Sequence, residues 1–323
     1  MIRARIWSLS LTHGYPDHIF YFGLAPGDDL LCTTVLHELQ KRSSRKIWMI
    51  SNHPELFQGM GDATRILPPT LRSDSLRRYR HLEYARYRSE TDRSDPPARH
   101  IIAELCAKAG ITGKVALRPY LHLTAAEKAD GQWAAGKIVI QSSGLGGKFQ
   151  MKNKQWPAER FQAVVDALRD EIDFVQIGSA SDPLLAHVQD LRGKTTIREA
   201  ASFLSNARLY VGNAGFLMHA ARAVECPSVI IFGGREAPWQ SGYPANENLY
   251  TALPCSPCWL WNKCDYDRKC MNEISAQDVV RAVQTKLNQP RGPLPVDVVE
   301  ISDPATEAFR KGEDEKLVAL SGR

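Results

Sequence analysis

The chain has 323 residues, of which 43% are hydrophobic and 24% are charged, and its formal net charge is +5. This length suits two domains of roughly 120 to 160 residues with a cleft between them, and the composition is typical of a soluble globular protein, with no apolar run near the roughly 18 to 20 residues of a membrane span. The modest positive charge suits phosphates or an anionic membrane surface and does not by itself indicate nucleic-acid binding.

The first twenty residues contain two arginines and a short apolar stretch that polar residues interrupt. Because a small-residue cleavage site is also missing, we predict no signal peptide and a cytoplasmic protein. The seven cysteines agree with a reducing compartment, since three of them stand singly in apolar segments, where a buried thiol behaves as a small hydrophobic side chain: Cys32, Cys106 and Cys226.

Short apolar runs alternate with stretches of helical period between residues 18 and 234. The predicted strands are residues 18–24, 46–51, 65–69, 114–123, 137–143, 173–178, 208–213 and 227–234, and the predicted helices are residues 28–42, 96–111, 157–171, 195–207 and 215–224. This alternation indicates parallel sheets with right-handed crossovers. We therefore predict an α/β protein with two doubly wound, Rossmann-like halves.

The pattern restarts near residues 124–136, which predicts an N-terminal domain of residues 1–130 and a C-terminal domain of residues 131–288. Residues 289–323 are rich in proline and charge, without a sustained period, and are predicted to form a tail that either packs back across the first domain or is mobile. Ligands of doubly wound folds bind at the carboxyl ends of strands, so the loops that follow the strands are the candidate sites.

The loop after the first strand lacks both the glycine pattern of a dinucleotide fold and the Lys-Ser/Thr of a P-loop. It places Asp28 and Asp29 at the start of a helix. Two interpretations stay open: a carboxylate that merely stabilises the helix N-terminus, or a carboxylate that is presented to the cleft.

The second loop, residues 141–154, combines the hydroxyls of Ser142 and Ser143 with glycines and with Lys154. Backbone amides, hydroxyls and positive charge together suit a diphosphate, although a flexible solvated loop would have a similar composition.

The third loop places Gly215 and Phe216 at a helix N-terminus that could receive negative charge, with His219 one turn further on. A histidine there is often a packed structural residue. The fourth loop offers Arg235 and Glu236 at another strand end. We expect the four loops to converge on one cleft.

Four motifs in this order resemble those of bacterial glycosyltransferase family 9, typified by the ADP-heptose lipopolysaccharide heptosyltransferases. The motifs are Gly27-Asp28-x-Leu30-Leu31, Lys154-x-Trp156-Pro157, Val211-Gly212-Asn213 with His219 six residues beyond, and a cysteine cluster ending in Cys270-Met271. They span residues 19–285, and their order and spacing carry the resemblance.

The resemblance implies a GT-B fold and inverting transfer of a sugar, heptose or a related one, from a nucleotide-diphosphate donor without a catalytic metal. Asp28 matches the general base that takes the proton of the acceptor hydroxyl. The predicted donor contacts are Ser142, Ser143, Lys154, Gly215, Phe216 and His219, to which we add Arg235 from the fourth loop. The implied acceptor is a cell-envelope glycan, a lipid-linked glycan or a protein.

One position departs from the family. Many members carry Asp-Ser/Thr-Gly where this chain has Ala214-Gly215-Phe216, so an acidic donor contact is missing. The alternative function is therefore a catalytically inactive module of the same fold that binds sugar nucleotides.

Residues 72–93 contain seven arginines interleaved with three tyrosines. They form either a solvated helix whose arginines pair with neighbouring acids, or a surface for a phosphorylated acceptor, anionic lipid or single-stranded nucleic acid. Because the first domain receives the acceptor in the family, we favour the acceptor or the inner face of the membrane and do not expect a nucleic-acid partner.

Four cysteines fall within sixteen positions: Cys255, Cys258, Cys264 and Cys270. The Cys-x-x-Cys pair and two further thiolates predict a closed, tetrahedral structural metal site, with zinc favoured and iron the alternative. Two disulfides are disfavoured by a reducing compartment, and an iron–sulfur redox centre lacks an accompanying electron-transfer motif. We expect this cluster to fix the fourth loop beside the donor cleft.

Overall fold

The computed structural model describes residues 2–23, 25–73, 79–147, 149–290 and 292–302. Its N-terminal half contains α1 (Ile2–His13), β1 (His18–Tyr21), α2 (Pro26–Arg42), β2 (Ile47–Ile50), β3 (Thr64–Leu67), β4 (Tyr79–His81), β5 (Tyr87–Arg88), β6 (Arg93–Ser94), α3 (Ile101–Lys108) and β7 (Gly113–Ala116). The C-terminal half contains α4 (Ala125–Asp130), β8 (Ile138–Ile140), α5 (Ala158–Leu168), β9 (Phe174–Gln176), β10 (Gln189–Asp190), α6 (Ile197–Asn206), β11 (Leu209–Asn213), α7 (Phe216–Ala223), β12 (Ser228–Phe232), α8 (Pro238–Ser241), β13 (Asn246–Tyr250), α9 (Lys269–Asn272) and α10 (Ala276–Asn288), and β14 (Val298–Ile301) follows.

Each half is built on a parallel sheet. The strand orders are β3-β2-β1-β4 and β10-β9-β8-β11-β12-β13, and the described pairings within both sheets are parallel. The strand order reverses between β1 and β4 and between β8 and β11. Loops diverge at such switch points and form a crevice, so the loops after β1, β8 and β11 are placed to bind a ligand.

The local sequence explains these elements. All four residues of β2 and all five of β12 are buried, as expected of parallel strands that are covered on both faces. Helix α2 begins with Pro26, has Asp28 and Asp29 in its first turn and ends with Lys41 and Arg42. This order of charges complements the helix dipole.

The two halves share apolar packing at the base of the cleft. Helix α2 contacts both α3 and α7, and one hydrophobic cluster includes Leu31 and Val35 of α2 together with Met218 and Ala220 of α7. A second cluster lies between the C-terminal sheet and helices α5 and α10. The architecture is the GT-B arrangement that the sequence predicts.

The chain returns to its N-terminal half after α10. Strand β14 pairs antiparallel with β7, so that Val299 lies opposite Val115. Residues 298–301 therefore pack on the first half, one of the two outcomes expected for the tail. Residues 303–323 lie outside the described part of the chain, and the boundaries 1–130 and 131–288 remain predictions.

The arginine-rich segment is not a helix over its described residues. Residues 79–81 form β4, which pairs with β1 and buries Tyr79, and residues 87–94 form the hairpin of β5 and β6. In β4 the Tyr79 side chain is buried whereas Arg80 and His81 are exposed, so this part of the segment is a strand and not a solvated helical face. Arg77 and Arg78 lie outside the described residues.

Helix α3 also begins later than its prolines predict. The His100 side chain caps it by accepting a hydrogen bond from the Ile102 amide at 3.2 Å, so the helix begins at Ile101 and the two prolines precede it.

Candidate active site

A cavity of about 420 Å³ opens between the two halves. The loops after β1, β8, β9 and β11 line it, together with the first turns of α2, α6 and α7. Five predicted site residues line this cavity: Asp28, Lys154, Gly215, Phe216 and His219. Of the four loops expected to converge, the first three therefore do so, and the fourth lies behind them.

Asp28 and Asp29 differ although they are neighbours in the first turn of α2. Neither of them is the N-cap residue of the helix, which is Ala25. Asp28 lines the cavity and its Oδ1 lies 3.4 Å from the Tyr84 hydroxyl. Gly23 permits this position, since a Cβ there would collide with the Asp28 carboxylate. The carboxylate presented to the cleft is that of Asp28.

Asp29 is fully buried away from the cavity. Its Oδ2 accepts a hydrogen bond from the Ser51 hydroxyl at 2.5 Å, and its Oδ1 has no partner among the described residues. Burial raises the pKa of Asp29 to about 7, against an ordinary value of 3.8. Its carboxyl group is therefore partly protonated near neutral pH.

Replacing Asp29 with Asn should flatten the pH dependence of stability. The folded state holds this proton more tightly than the unfolded state does. The free energy of unfolding of the wild type should therefore fall by roughly 2 to 4 kcal/mol between about pH 4 and about pH 7, and should then stay level. An amide does not titrate, so the variant should lack this slope. Urea unfolding at a series of pH values measures it, and parallel profiles for the two proteins would contradict the shift.

Ser142 and Ser143 follow β8 but do not line the cavity. The Ser142 hydroxyl donates to the carbonyl of Pro183 at 2.6 Å, and the Ser143 hydroxyl donates to Gln155 Oε1 at 3.1 Å. Gln155 also accepts the Gly144 amide at 2.8 Å. The hydroxyls thus shape the glycine loop, and the residues between 141 and 147 that line the cavity are Gln141, Gly144, Gly146 and Gly147.

Lys154 lines the cavity and forms an ion pair with Glu236. Burial lowers the pKa of Lys154, and the Glu236 carboxylate partly offsets this effect. Burial alone would raise the pKa of Glu236, but the charges of Lys154 and Arg235 outweigh it and lower that pKa. Lys154 is therefore paired at the cavity wall with Glu236, a carboxylate that was not among the predicted donor contacts.

Arg235 does not line the cavity. Its guanidinium lies 4.7 Å from the centre of the Trp259 ring and 3.7 Å from the Glu236 carboxylate, and it also donates to the Ser94 hydroxyl at 3.4 Å. Its predicted direct contact with the donor therefore has no geometric support, and its charge acts on the cavity through Glu236 and Lys154.

His219 enters the cavity from α7, whose N-cap is Gly215. Its Nδ1 lies 2.6 Å from the Tyr243 hydroxyl, and burial lowers the pKa of His219 to about 3. A neutral imidazole is expected at working pH. If the Tyr243 hydroxyl donates to Nδ1, the Nε2–H is left to donate to a ligand.

Ala214 lines the cavity, so the acid that many family members carry there is absent from that position. Its neighbour Asn213 also lines the cavity, and the Asn213 Nδ2 has no hydrogen-bond partner among the described residues. Asn213 was predicted only as part of a family motif and not as a contact with a ligand. Its free amide marks it as a further candidate for contact with a ligand.

The four cysteines are free thiols, partly buried, beside the fourth loop. Backbone amides donate to three of their sulfurs: Leu260 to Cys258, Gly234 and Met271 to Cys270, and Arg268 to Cys264. Burial raises the pKa of Cys258 and Cys270. Within the described part of the chain, no group of three or more potential ligands is arranged to hold a metal ion. The predicted metal site is therefore not formed in this arrangement of the side chains.

The cysteine segment nevertheless joins both halves of the protein. Asp92, in the N-terminal half, accepts hydrogen bonds from the backbone amides of Asn262 and Lys263 at 2.9 and 2.7 Å. On its other side, the Asn153 amide donates to the Trp261 carbonyl at 3.0 Å. Asn153 precedes Lys154, so residues 259–263 connect the chain beside this lysine to the N-terminal half.

Comparison with known proteins agrees with this geometry. Residues 105–260 match the family model described as Glycosyltransferase family 9 (heptosyltransferase). No curated protein matches the sequence. The family match covers the end of the N-terminal half and the loops after β8, β9, β11 and β12.

Solved structures show the same fold. E. coli ADP-heptose LPS heptosyltransferase II aligns with a TM-score of 0.61 at 16% identity, over 84% of this chain and 98% of that chain. The iron-containing dodecameric glycosyltransferase TibC from enterotoxigenic E. coli H10407 aligns with a TM-score of 0.62 at 14% identity, over 84% and 76% of the two chains. E. coli heptosyltransferase WaaC with ADP gives 0.51 at 13% identity, over 83% and 97%.

The protein thus has the GT-B fold of these glycosyltransferases. More narrowly, its residues 105–260 are similar to glycosyltransferase family 9.

Proposed function

We propose that this protein transfers heptose or a related sugar, with inversion, from a nucleotide-diphosphate donor to an acceptor hydroxyl. The observation that carries the proposal is the shared cavity, in which the Asp28 carboxylate of one half meets Lys154, His219 and the N-terminus of α7 from the other. A base and a cluster of phosphate-binding groups on opposite walls of one cleft suit a displacement at a carbon held between them.

In the proposed reaction, Asp28 accepts the proton of the acceptor hydroxyl while that oxygen attacks the anomeric carbon. The bond from this carbon to the diphosphate breaks, and the electron pair leaves with the nucleoside diphosphate. Negative charge therefore grows on the leaving oxygen, where Lys154, His219 and the backbone amides at the start of α7 can stabilise it. One displacement from the face opposite the leaving group inverts the anomeric configuration.

Isothermal titration with a panel of nucleoside diphosphates and their sugars tests the donor site. We expect an ADP-sugar to bind best, because the similar structures include an ADP-heptose transferase and a heptosyltransferase with ADP. Release of the nucleoside diphosphate in the presence of acceptors then tests transfer. Ala214 motivates the alternative of an inactive binding module, for which a donor should bind tightly without turnover with any acceptor.

The acceptor is proposed to be a cell-envelope glycan, a lipid-linked glycan or a protein, reached from the cytoplasm or the inner face of the membrane. The N-terminal side of the cavity supports this, since Tyr84 and Asp28 line it and Arg80 and Arg86, which are close to Tyr84 in the sequence, are exposed. No helix of the described residues is long and apolar enough to cross a membrane.

We also propose that the four cysteines hold a structural metal ion, zinc or iron, after small side-chain adjustments. Amide hydrogen bonds to three of the sulfurs would stabilise thiolates, and the similar glycosyltransferase TibC is described as iron-containing. The metal would rigidify residues 255–270 and would take no part in the transfer.

Replacing Cys258 with Ser should lower the metal content and the thermal stability together, because a closed tetrahedral site needs all four thiolates. Elemental analysis of the wild type should find about one zinc or iron per chain. Cys226→Ser is the control, since Cys226 lies outside the cluster and its loss should leave the metal content unchanged. Full metal occupancy in the Cys258 variant would exclude the proposed ligand set.

A further inference from the structure

Helix α1 exposes an apolar stripe that its own fold does not cover. Trp7, Leu11 and Tyr15 are 62%, 69% and 55% exposed, and they account for three of the nine large hydrophobic side chains exposed in the described residues. Trp7 and Leu11 are four residues apart on one helical face, and Tyr15 follows just after the helix ends at His13. Clustered exposed apolar side chains mark an interaction surface, whereas single ones are ordinary.

The opposite face of α1 is fixed in place. Ile6 is buried, and Ile2 and Leu9 pack with it against the face of the N-terminal sheet that carries Trp48 and Leu67. The helix is therefore apolar on two sides. Because the sheet holds one side, the stripe of Trp7 and Leu11 is presented outward in a defined orientation.

Basic side chains surround the stripe. At 3.6 residues per turn, the exposed Arg3 falls beside it, and the exposed Arg5 lies on the other flank of the helix, between the stripe and the buried face. Two further exposed basic residues adjoin the end of the helix: Lys46 lies against Gly14, and Arg45 Nη1 is 3.3 Å from His18. The one acidic residue in positions 2–18 is Asp17, whose carboxylate accepts the Lys46 amide at 2.9 Å.

We propose that this α1 surface, formed by Arg3, Arg5, Trp7, Leu11, Tyr15, Arg45 and Lys46, docks on the surface of an anionic lipid bilayer. Aromatic and leucine side chains enter the boundary between headgroups and acyl chains, and the arginines and lysine contact the lipid phosphates. With 12 residues, α1 lies on the bilayer and does not span it. A second copy of the chain fits less well as the partner, because a two-fold symmetric contact would bring the basic residues of one copy against those of the other.

Co-sedimentation with vesicles of phosphatidylcholine, with and without phosphatidylglycerol, tests the proposal on the full chain. The wild type should bind the anionic vesicles and be released by salt, since both apolar contact and charge contribute. The double variant Trp7→Ser/Leu11→Ser should bind at least tenfold more weakly, and Arg3→Glu/Arg5→Glu should lose the preference for phosphatidylglycerol. Donor binding should be unchanged in both, because α1 does not line the cavity.

Trp239→Ser is the matched control, since Trp239 is 58% exposed but lies in the C-terminal half. It should sediment with vesicles as the wild type does. Failure of the wild type to bind anionic vesicles, or equal binding by the Trp7→Ser/Leu11→Ser variant, overturns the proposal. The proposal is also overturned if analytical ultracentrifugation shows a dimer that the same variant abolishes, because the stripe is then covered by a second copy.

Discussion

Replacing Asp28 with Asn should lower the turnover number roughly 10²- to 10⁴-fold while leaving the affinity for the donor nearly unchanged. The amide has the same shape as the carboxylate, so the cavity wall and the contact with Tyr84 can persist. It cannot accept the proton of the acceptor hydroxyl, and the attack on the anomeric carbon loses its base. Release of nucleoside diphosphate, with an acceptor or with water in its place, measures the loss, and calorimetry measures the affinity.

Asp29→Asn is the control for this experiment. Asp29 has the same chemistry one residue away, yet it is buried against Ser51 and does not line the cavity. Its replacement should preserve turnover near neutral pH. Equal losses in the two variants would mean that either change disturbs the start of α2, and wild-type turnover in the Asp28 variant would remove this residue from the chemistry.

The sequence was sufficient to predict the two parallel α/β sheets because the spacing of its apolar residues distinguishes strands from helices. Apolar runs too short for helices, alternating with amphipathic stretches, require parallel strands with helical crossovers, and the strands β1, β2, β8, β9, β11 and β12 lie within the predicted ranges. Helix α1 was missed since Ile2, Ile6 and Leu9 become a recognisable face only once the sheet that they cover is known.

Side-chain orientation explains most of what sequence reasoning missed in the site. A strand-end loop rich in hydroxyls predicts a phosphate site, but only the structure shows that the Ser142 and Ser143 hydroxyls are used within the loop. The pairing of Lys154 with Glu236 joins residues 82 positions apart. It depends on the spatial order β8-β11-β12, which a single sequence does not determine.

Replacing Lys154 with Met should weaken donor binding roughly 10- to 100-fold, since a hydrogen bond to a charged group contributes about 1.5 to 3 kcal/mol. Turnover should also fall, because the lysine opposes the charge that grows on the leaving diphosphate. The same change leaves the buried Glu236 carboxylate with only the Arg235 guanidinium, 3.7 Å away, as a counter-charge, so the variant should be less stable than the wild type. Calorimetric titration with the donor and urea unfolding separate the two effects.

The double variant Lys154→Met/Glu236→Gln removes both charges. It should recover stability, since no carboxylate remains buried without its lysine, but it should not recover donor affinity. Lys152→Met is the matched control, because Lys152 is exposed in the same 3₁₀ turn and does not line the cavity. If the double variant binds the donor as tightly as the wild type, Lys154 merely neutralises Glu236, and the phosphate contact must belong to His219 and the α7 amides alone.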